Sequence, residues 1–130
     1  MSDQTVLFID DEEHLRIAAR QTLELADIDV TCFSDASRAL DLLGRSFSGI
    51  VISDIRMPGM DGLTLMQRAL EIDPDLPIVL VTGHGDVPLA VESMRSGAYD
   101  FIEKPFATEN LIEVVRRALD KRRLTLENRR

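Results

Sequence analysis

Short apolar runs alternate along this chain with longer segments whose apolar residues recur every three or four positions. The short runs favour β-strands, and the longer segments favour amphipathic helices. Strict alternation of the two predicts parallel β/α units, in which each helix leads from one strand to the next. The predicted strands cover residues 5–9, 28–33, 49–53, 77–81 and 99–102, and the predicted helices cover residues 12–26, 36–44, 61–72, 88–95 and 108 to the end.

In the first, third and fourth runs the apolar residues are continuous instead of alternating, which is typical of strands that are covered on both faces of a sheet. Five such units predict an α/β fold of the flavodoxin-like type. This is a (βα)5 doubly wound parallel sheet with strand order 2-1-3-4-5 and a switch point between strands one and three. Polar residues mark the helix boundaries: Ser34 and Asp35 before the second helix, Asp61 as the preferred N-cap of the third, and Asp73 at its end before a proline.

Polar residues stand just past four of the apolar runs. In open parallel sheets, ligands bind outside the carboxyl ends of the strands. The predicted fold therefore gathers carboxylates, a hydroxyl and an ammonium in one crevice, a set that suits a divalent cation and a phosphoryl group. The residues are Asp10 and Asp11 after the first run, Asp54 after the third, Thr82 after the fourth and Lys104 after the fifth.

The chemistry of this set favours phosphoryl transfer. Neighbouring carboxylates repel one another, and Mg²⁺, which prefers oxygen ligands, offsets that repulsion. Lys104 offers a compact positive charge and Thr82 a hydroxyl to phosphoryl oxygens. A carboxylate such as that of Asp54 is an adequate nucleophile and gives an aspartyl-phosphate. Taken alone, Asp10 and Asp11 fit an ordinary helix N-terminus better than a metal site, and only the complete set reverses that preference.

Composition narrows the function classes. The chain has 130 residues, 45% of them hydrophobic and 29% charged, which predicts one globular domain. No apolar run approaches the ~20 residues of a membrane span, and no secretory signal is visible. The single cysteine, Cys32, cannot form an internal disulfide, so we expect a cytoplasmic protein without membrane contact. The net charge of −8 argues against nucleic-acid binding by the domain as a whole.

Several sequence fragments occur together in an order and spacing that resemble the receiver domains of two-component response regulators. The resemblance covers about residues 5–120. It implies that Asp54 accepts a phosphoryl group from a sensor histidine kinase. It also implies that Mg²⁺ is held by Asp10, Asp11, Asp54 and the backbone carbonyl of Arg56. The fragments are FIDDE (8–12), SDIRMPGMDG (53–62), VTG (81–83) and EKPF (103–106).

The same resemblance assigns further roles around the predicted crevice. Thr82 and Lys104 would contact the phosphoryl oxygens, and Thr82 would shift on activation. Phe101 takes the place of the aromatic switch residue, although it lacks the hydroxyl of the more common tyrosine. Arg56 and His84 each lie two residues after a site residue. They would therefore flank the phosphoryl group and tune its hydrolysis.

A narrower resemblance concerns residues 82–106 and 121–129, which are similar to receivers of sigma-54-dependent activators, in particular the regulator of C4-dicarboxylate transport. In those proteins the last helix continues towards an ATPase domain and a DNA-binding domain. We therefore expect a receiver domain at residues 1–120 and the start of a helical linker at residues 121–130. The tail is basic, with seven Arg or Lys and two Asp or Glu in residues 116–130.

The expected output is a change in dimer geometry. A homodimer would use helix 4, strand 5 and helix 5, roughly residues 86–120, together with the C-terminal helix. Ile112, Leu119 and Leu126 recur every seven residues in that helix, but the interleaved Arg122 makes the heptad pattern incomplete.

Two rival functions remain open at this point. A phosphatase of the haloacid dehalogenase type would need a second aspartate two residues after the nucleophile, where this chain has Arg56. A stand-alone adaptor would signal by docking alone, and it would gain little from the apolar residues Leu124 and Leu126 beyond the expected domain end. We therefore expect chemistry limited to the domain's own phosphorylation and dephosphorylation instead of enzymatic turnover.

Overall fold

A computed structural model describes residues 4–129 of the chain, except for the side chain of His84. Five parallel strands form one sheet in the order β2-β1-β3-β4-β5, so the predicted fold class and strand order are confirmed. The strands are β1 (Val6–Ile9), β2 (Val30–Phe33), β3 (Ile50–Asp54), β4 (Ile78–Thr82) and β5 (Asp100–Glu103), and the helices are α1 (Glu13–Leu25), α2 (Ala36–Leu40), α3 (Gly62–Ile72), α4 (Val87–Arg95) and α5 (Thr108–Asn128).

Alternate residues of the central strands point to opposite faces and build two cores, as the period of two in a strand requires. One core lies between the sheet and helices α1 and α5. The other lies between the sheet and helices α2, α3 and α4. The strand residues of the first core are Val6, Phe8, Ile50, Ile52, Val79, Val81 and Ile102, and those of the second are Leu7, Ile9, Val51, Ile78 and Leu80.

The predicted helix caps are confirmed. The carboxylate Oδ1 of Asp61 accepts a hydrogen bond from the backbone N–H of Thr64 at 2.8 Å, which begins α3. Asp35 caps α2 in the same way through the N–H of Ser37 at 3.1 Å. Each bond satisfies a backbone donor that has no partner within its own helix. These caps fix where the polypeptide leaves the loops at the carboxyl edge of the sheet.

Some predicted boundaries are wrong. Helix α2 ends at Leu40 instead of residue 44, and Leu42 and Leu43 donate to carbonyls three residues earlier, the pattern of a turn. Asp54 and Thr82 are the last residues of their strands instead of the first loop residues. The reason is that the parallel ladder pairs Asp54 with Val81, and Thr82 with Glu103. Both polar side chains are therefore held by regular sheet geometry.

The C-terminal part of α5 packs against the amino ends of the strands. This side of the sheet is opposite to the carboxyl ends that carry Asp54 and Thr82. Arg122 is fully buried there, and its guanidinium lies 2.9 Å from the carboxylate of Asp73, which is also fully buried. Its Nε donates to the carbonyl of Phe47 at 2.8 Å. Arg129 donates to both carboxylate oxygens of Asp73 at 2.8 Å. These bonds hold residues 122–129 against the loops before β3 and β4.

This contact changes the interpretation of the heptad positions in α5. Leu119 belongs to the core beneath α1 and α5, and Arg122 is buried against Asp73. Ile112 and Leu126 are half-buried, so only part of the stripe that the sequence offers as a dimer seam is used within the chain itself. Within residues 4–129, no helix is both long enough and apolar enough to cross a membrane.

Candidate functional site

Asp54 occupies the carboxyl end of the central strand β3, where its residue is only 6% exposed. Its Oδ1 accepts a hydrogen bond from the backbone N–H of Arg56 at 3.2 Å. Its Oδ2 accepts one from Nζ of Lys104 at 2.7 Å. Two donors therefore fix the orientation of this carboxylate at the strand end.

Lys104 follows β5 and reaches across the sheet edge to the acidic residues. Its backbone N–H donates to the carbonyl of Thr82 at 2.8 Å, which anchors the residue. Nζ lies 3.4 Å from Oδ2 of Asp10 in addition to its bond with Asp54. Burial opposes the charged form of Lys104, but the hydrogen bond to Asp54 and the negative charges of both carboxylates outweigh burial and raise its pKa. The ammonium therefore remains charged at neutral pH.

Asp10 is fully buried at the end of β1. Its Oδ1 accepts a hydrogen bond from the backbone N–H of Glu12 at 2.9 Å. Its Oδ2 has no hydrogen-bond partner among the described residues. Burial raises the pKa of Asp10, and the Glu12 N–H and the Lys104 charge oppose that rise without cancelling it. The Lys104 ammonium lies 3.4 Å from this oxygen but makes no hydrogen bond with it, so the buried oxygen can accept a further cation.

The acidic group that the structure assembles differs from the predicted one. Asp10, Glu12 and Asp54 each offer a carboxylate oxygen, and these oxygens lie within 4.8 Å of one another. Asp11 and Glu12 are both exposed, but Asp11 is not a member of this group. The available signal for Glu12 was its place in the loop directly after β1, in the run DDE. Carboxylates so close together form a site whose chemistry fits Mg²⁺.

Thr82 is fully buried at the end of β4, but its hydroxyl does not contact Asp54. Oγ1 donates to the carbonyl of the next residue, Gly83, at 3.1 Å. Phe101 of β5 is half-buried and packs against the core under α2, α3 and α4. Thr82 therefore lies on the strand next to β3, and Phe101 lies one strand further away, on β5.

The Arg56 side chain reaches away from Asp54 to Asp86, which no sequence motif marks as a site residue. Its Nε and Nη2 donate to the two carboxylate oxygens of Asp86, each at 2.8 Å. The hydrogen bonds and charge of Arg56 lower the pKa of Asp86. Asp86 ends a short 3₁₀ turn, His84–Asp86, after β4. The side chain of His84, predicted to tune hydrolysis, lies outside the described part of the chain.

Gly62 lets helix α3 begin directly against the strand that carries Asp54. A Cβ at this position would overlap the backbone carbonyl of Asp54. We expect Gly62→Ala to lower the free energy of unfolding by about 1–3 kcal/mol, because backbone cannot move aside as a flexible side chain can. Urea unfolding would measure the change. Gly44→Ala is the matched control, since a Cβ there meets no atom within 4 Å. Equal effects of both substitutions would contradict this interpretation.

Comparisons with known proteins agree with this geometry. The family model for the response regulator receiver domain matches residues 6–116. The C4-dicarboxylate transport transcriptional regulatory protein DctD of Rhizobium meliloti is 58% identical over 96% of the chain, and the protein of the same name from Pseudomonas aeruginosa is 56% identical over 95%. The chain spans 27% of the length of each. The narrower resemblance to regulators of C4-dicarboxylate transport is thereby confirmed.

Solved structures give the same result. The receiver domain of NtrX from Brucella abortus is 38% identical, with a TM-score of 0.82 over 88% of this chain and 98% of its own. Full-length FixJ from B. japonicum is 40% identical, with a TM-score of 0.85 over 98% of this chain and 63% of its own. With the strand order, the acidic group and the lysine contact in place, the chain belongs to the family of response regulator receiver domains.

Proposed function

We propose that this domain is a phosphorylation switch in which Asp54 accepts a phosphoryl group from a phosphohistidine of a sensor histidine kinase. The strongest support for the proposal is the arrangement of Asp54, Lys104 and Asp10. Oδ2 of Asp54 accepts a hydrogen bond from Lys104 at 2.7 Å, beside a buried Asp10 oxygen that has no hydrogen-bond partner among the described residues. A nucleophilic carboxylate, a fixed ammonium and a cation site are the elements that phosphoryl transfer requires.

Mg²⁺ is the cofactor that fits this donor set. Asp10, Glu12 and Asp54 supply carboxylate oxygens, and the backbone carbonyl of Arg56 is a further proposed ligand. Asp11, which the family resemblance assigns to the metal, remains a proposed ligand although it lies outside the group of close carboxylates. When bound, Mg²⁺ supplies positive charge that offsets the repulsion between these carboxylates and a phosphoryl group.

The residues of the chain then divide the work of the transfer. A carboxylate oxygen of Asp54 forms a bond to phosphorus as the bond from phosphorus to the histidine nitrogen breaks, and the imidazole leaves with its electron pair. Lys104 neutralises charge on a phosphoryl oxygen. Thr82 would have to exchange its bond to the Gly83 carbonyl for one to the phosphoryl group. This exchange would stabilise the conformation that binds the phosphoryl group more tightly. The population of the domain would therefore shift towards that conformation.

The output would be carried by α4, β5 and α5. Thr82 precedes the turn that leads into α4, and Lys104 follows β5, so movement of either residue acts on this face. The DctD and FixJ relatives are transcriptional regulatory proteins. We therefore infer that this receiver controls transcription in the cytoplasm as part of a longer protein. Its output would be an ATPase domain and a DNA-binding domain of the sigma-54 activator class, and its partner a second copy of the chain.

Solution mass by light scattering tests this function. The protein would be measured with Mg²⁺, with and without beryllofluoride, which mimics a phosphoryl group on aspartate. We expect a change in mass in the wild type and none in Asp54→Ala. A change in mass in both proteins would show that the switch does not depend on Asp54. Failure of the wild type to bind the mimic would overturn the proposal.

A further inference from the structure

The Arg16 side chain reaches back from helix α1 to the loop that joins β1 to α1. This loop carries two of the three close carboxylates, those of Asp10 and Glu12. Nη1 of Arg16 donates to the backbone carbonyl of Asp10 at 2.7 Å, in a partly buried contact. Because the acceptor is a main-chain oxygen, this bond occupies neither carboxylate oxygen of Asp10.

Arg16 contacts both ends of this loop. Its backbone N–H donates to the carbonyl of Glu12 at 3.2 Å, while its side chain holds the carbonyl of Asp10. The thiol of Cys32 on β2 donates to the carbonyl of Arg16 at 3.7 Å. The N–H of Asp10 donates to the carbonyl of Phe33, at the end of the same strand, at 3.1 Å. Arg16 therefore joins the loop to α1, and both are anchored to β2.

The carbonyl that Arg16 holds belongs to the planar peptide unit between Asp10 and Asp11. Rotation of this unit sets the direction in which the chain leaves β1, and with it the place of the Glu12 carboxylate relative to that of Asp10. Glu12 is the N-cap residue of α1, but its side chain makes no capping hydrogen bond. A hydrogen bond from a charged guanidinium is about twice as strong as one between neutral groups, which suits it to hold the unit.

We propose that Arg16 is a positioning residue of the metal site: through the Asp10 carbonyl it holds the loop after β1 in the shape that brings the carboxylates of Asp10 and Glu12 together. The inference rests on the proposed binding of Mg²⁺ at this site. Groups that orient metal ligands contribute about 10- to 100-fold to metal affinity. Arg16 holds the backbone and not the ligand atoms themselves, so we expect an effect at the lower end of that range.

Charge and positioning predict opposite signs for the loss of Arg16. The positive charge of the guanidinium opposes the binding of a cation nearby, so its removal alone would tighten metal binding. Loss of the hydrogen bond to Asp10 would instead leave the loop to be ordered by the metal, and that cost would weaken binding. The direction of the measured change therefore shows which of the two effects dominates.

Titration with Mn²⁺, which takes the same oxygen ligands as Mg²⁺, tests the inference. Electron paramagnetic resonance measures the free Mn²⁺ without any need for phosphorylation. We expect Arg16→Met, which keeps an unbranched apolar stem, to bind Mn²⁺ about tenfold more weakly than the wild type. Arg16→Lys should lie between the two, because its ammonium is still a donor for the Asp10 carbonyl but lacks the reach and planar fork of a guanidinium.

Arg20→Met is the matched control, since it makes the same chemical change at an exposed position one turn further along α1. Its affinity for Mn²⁺ should be close to that of the wild type. Thermal unfolding of each variant without metal verifies that the fold is intact. If Arg16→Met does not fold, Arg16→Lys tests the inference alone, since it keeps the charge and should still bind Mn²⁺ more weakly than the wild type.

Three results would overturn the positioning role. They are equal or tighter Mn²⁺ binding by a folded Arg16→Met, an equal loss of affinity in Arg20→Met, and binding by Arg16→Lys that is no tighter than that by Arg16→Met. Each of them would leave the proposed metal site in place. Absence of Mn²⁺ binding by the wild type would instead reject the metal site itself, and the role of Arg16 with it.

Discussion

Asp54→Asn is expected to abolish acceptance of a phosphoryl group. The amide keeps the size of the side chain but has no anionic oxygen to attack phosphorus, and removal of a nucleophile costs about 10³-fold or more in rate. Incubation with acetyl phosphate and Mg²⁺, followed by mass spectrometry of the intact protein, would measure the product. The wild type should gain one acid-stable, base-labile phosphoryl group, whereas the variant should remain unmodified.

Asp29→Asn provides a control with the same chemical change. Asp29 is exposed and directly precedes β2, so it lies at the amino ends of the strands, away from Asp54. It should be phosphorylated like the wild type. The fold of Asp54→Asn should survive, because the substitution removes a negative charge from beside the buried carboxylate of Asp10. Phosphorylation of Asp54→Asn at the wild-type rate would show that the acceptor is elsewhere.

Asp73→Asn is expected to cost about 3–5 kcal/mol of the free energy of unfolding, because it leaves the buried guanidinium of Arg122 without its counter-charge. A loss of this size is a large fraction of the stability of a small domain. Urea unfolding monitored by circular dichroism would measure it. Asp75→Asn is the matched control. Its carboxylate pairs with Arg129 but is largely exposed, so little change is expected.

The same carboxylate predicts a pH dependence. Hydrogen bonds from Arg129, together with those from the backbone of Asp75 and from Arg122, outweigh burial and hold the pKa of Asp73 well below its usual range. The unfolded chain has a value of ~3.9. The stabilisation is therefore present above about pH 4 and is lost as the pH falls towards the folded pKa. Between pH 7 and pH 3, wild-type stability should fall more than that of Asp73→Asn, and parallel curves would contradict this assignment.

The sequence alone was sufficient for the fold and for most of the candidate site. Alternating apolar runs and helical periodicity are local patterns, and strict alternation leaves few parallel topologies. The position of Asp54, Thr82 and Lys104 at strand ends brings them to one edge, since parallel strands share a direction. The Asp61 cap was also predictable, because its hydrogen-bond partner is only three residues away in the sequence.

Two features of the site could not be predicted from the sequence: which acids lie together, and which charges are paired. Both depend on side-chain direction and on contacts between residues that are distant in the sequence. Whether Asp11 or Glu12 joins the acidic group depends on how the loop after β1 turns, which adjacent acids in a sequence do not reveal. The Arg56–Asp86 pair joins residues 30 positions apart.

The contact between Arg122 and Asp73 is the clearest case. In the sequence, Arg122 interrupts a heptad and belongs to a basic tail, and neither pattern indicates that its side chain is buried. In the fold it is fully buried, because the loops before β3 and β4 present carbonyls and a carboxylate to it. Local patterns along the chain were enough to predict the strand order and the residues at the carboxyl ends of the strands. Only the folded chain decided which charges are paired, because a charge is buried when distant groups supply its partners.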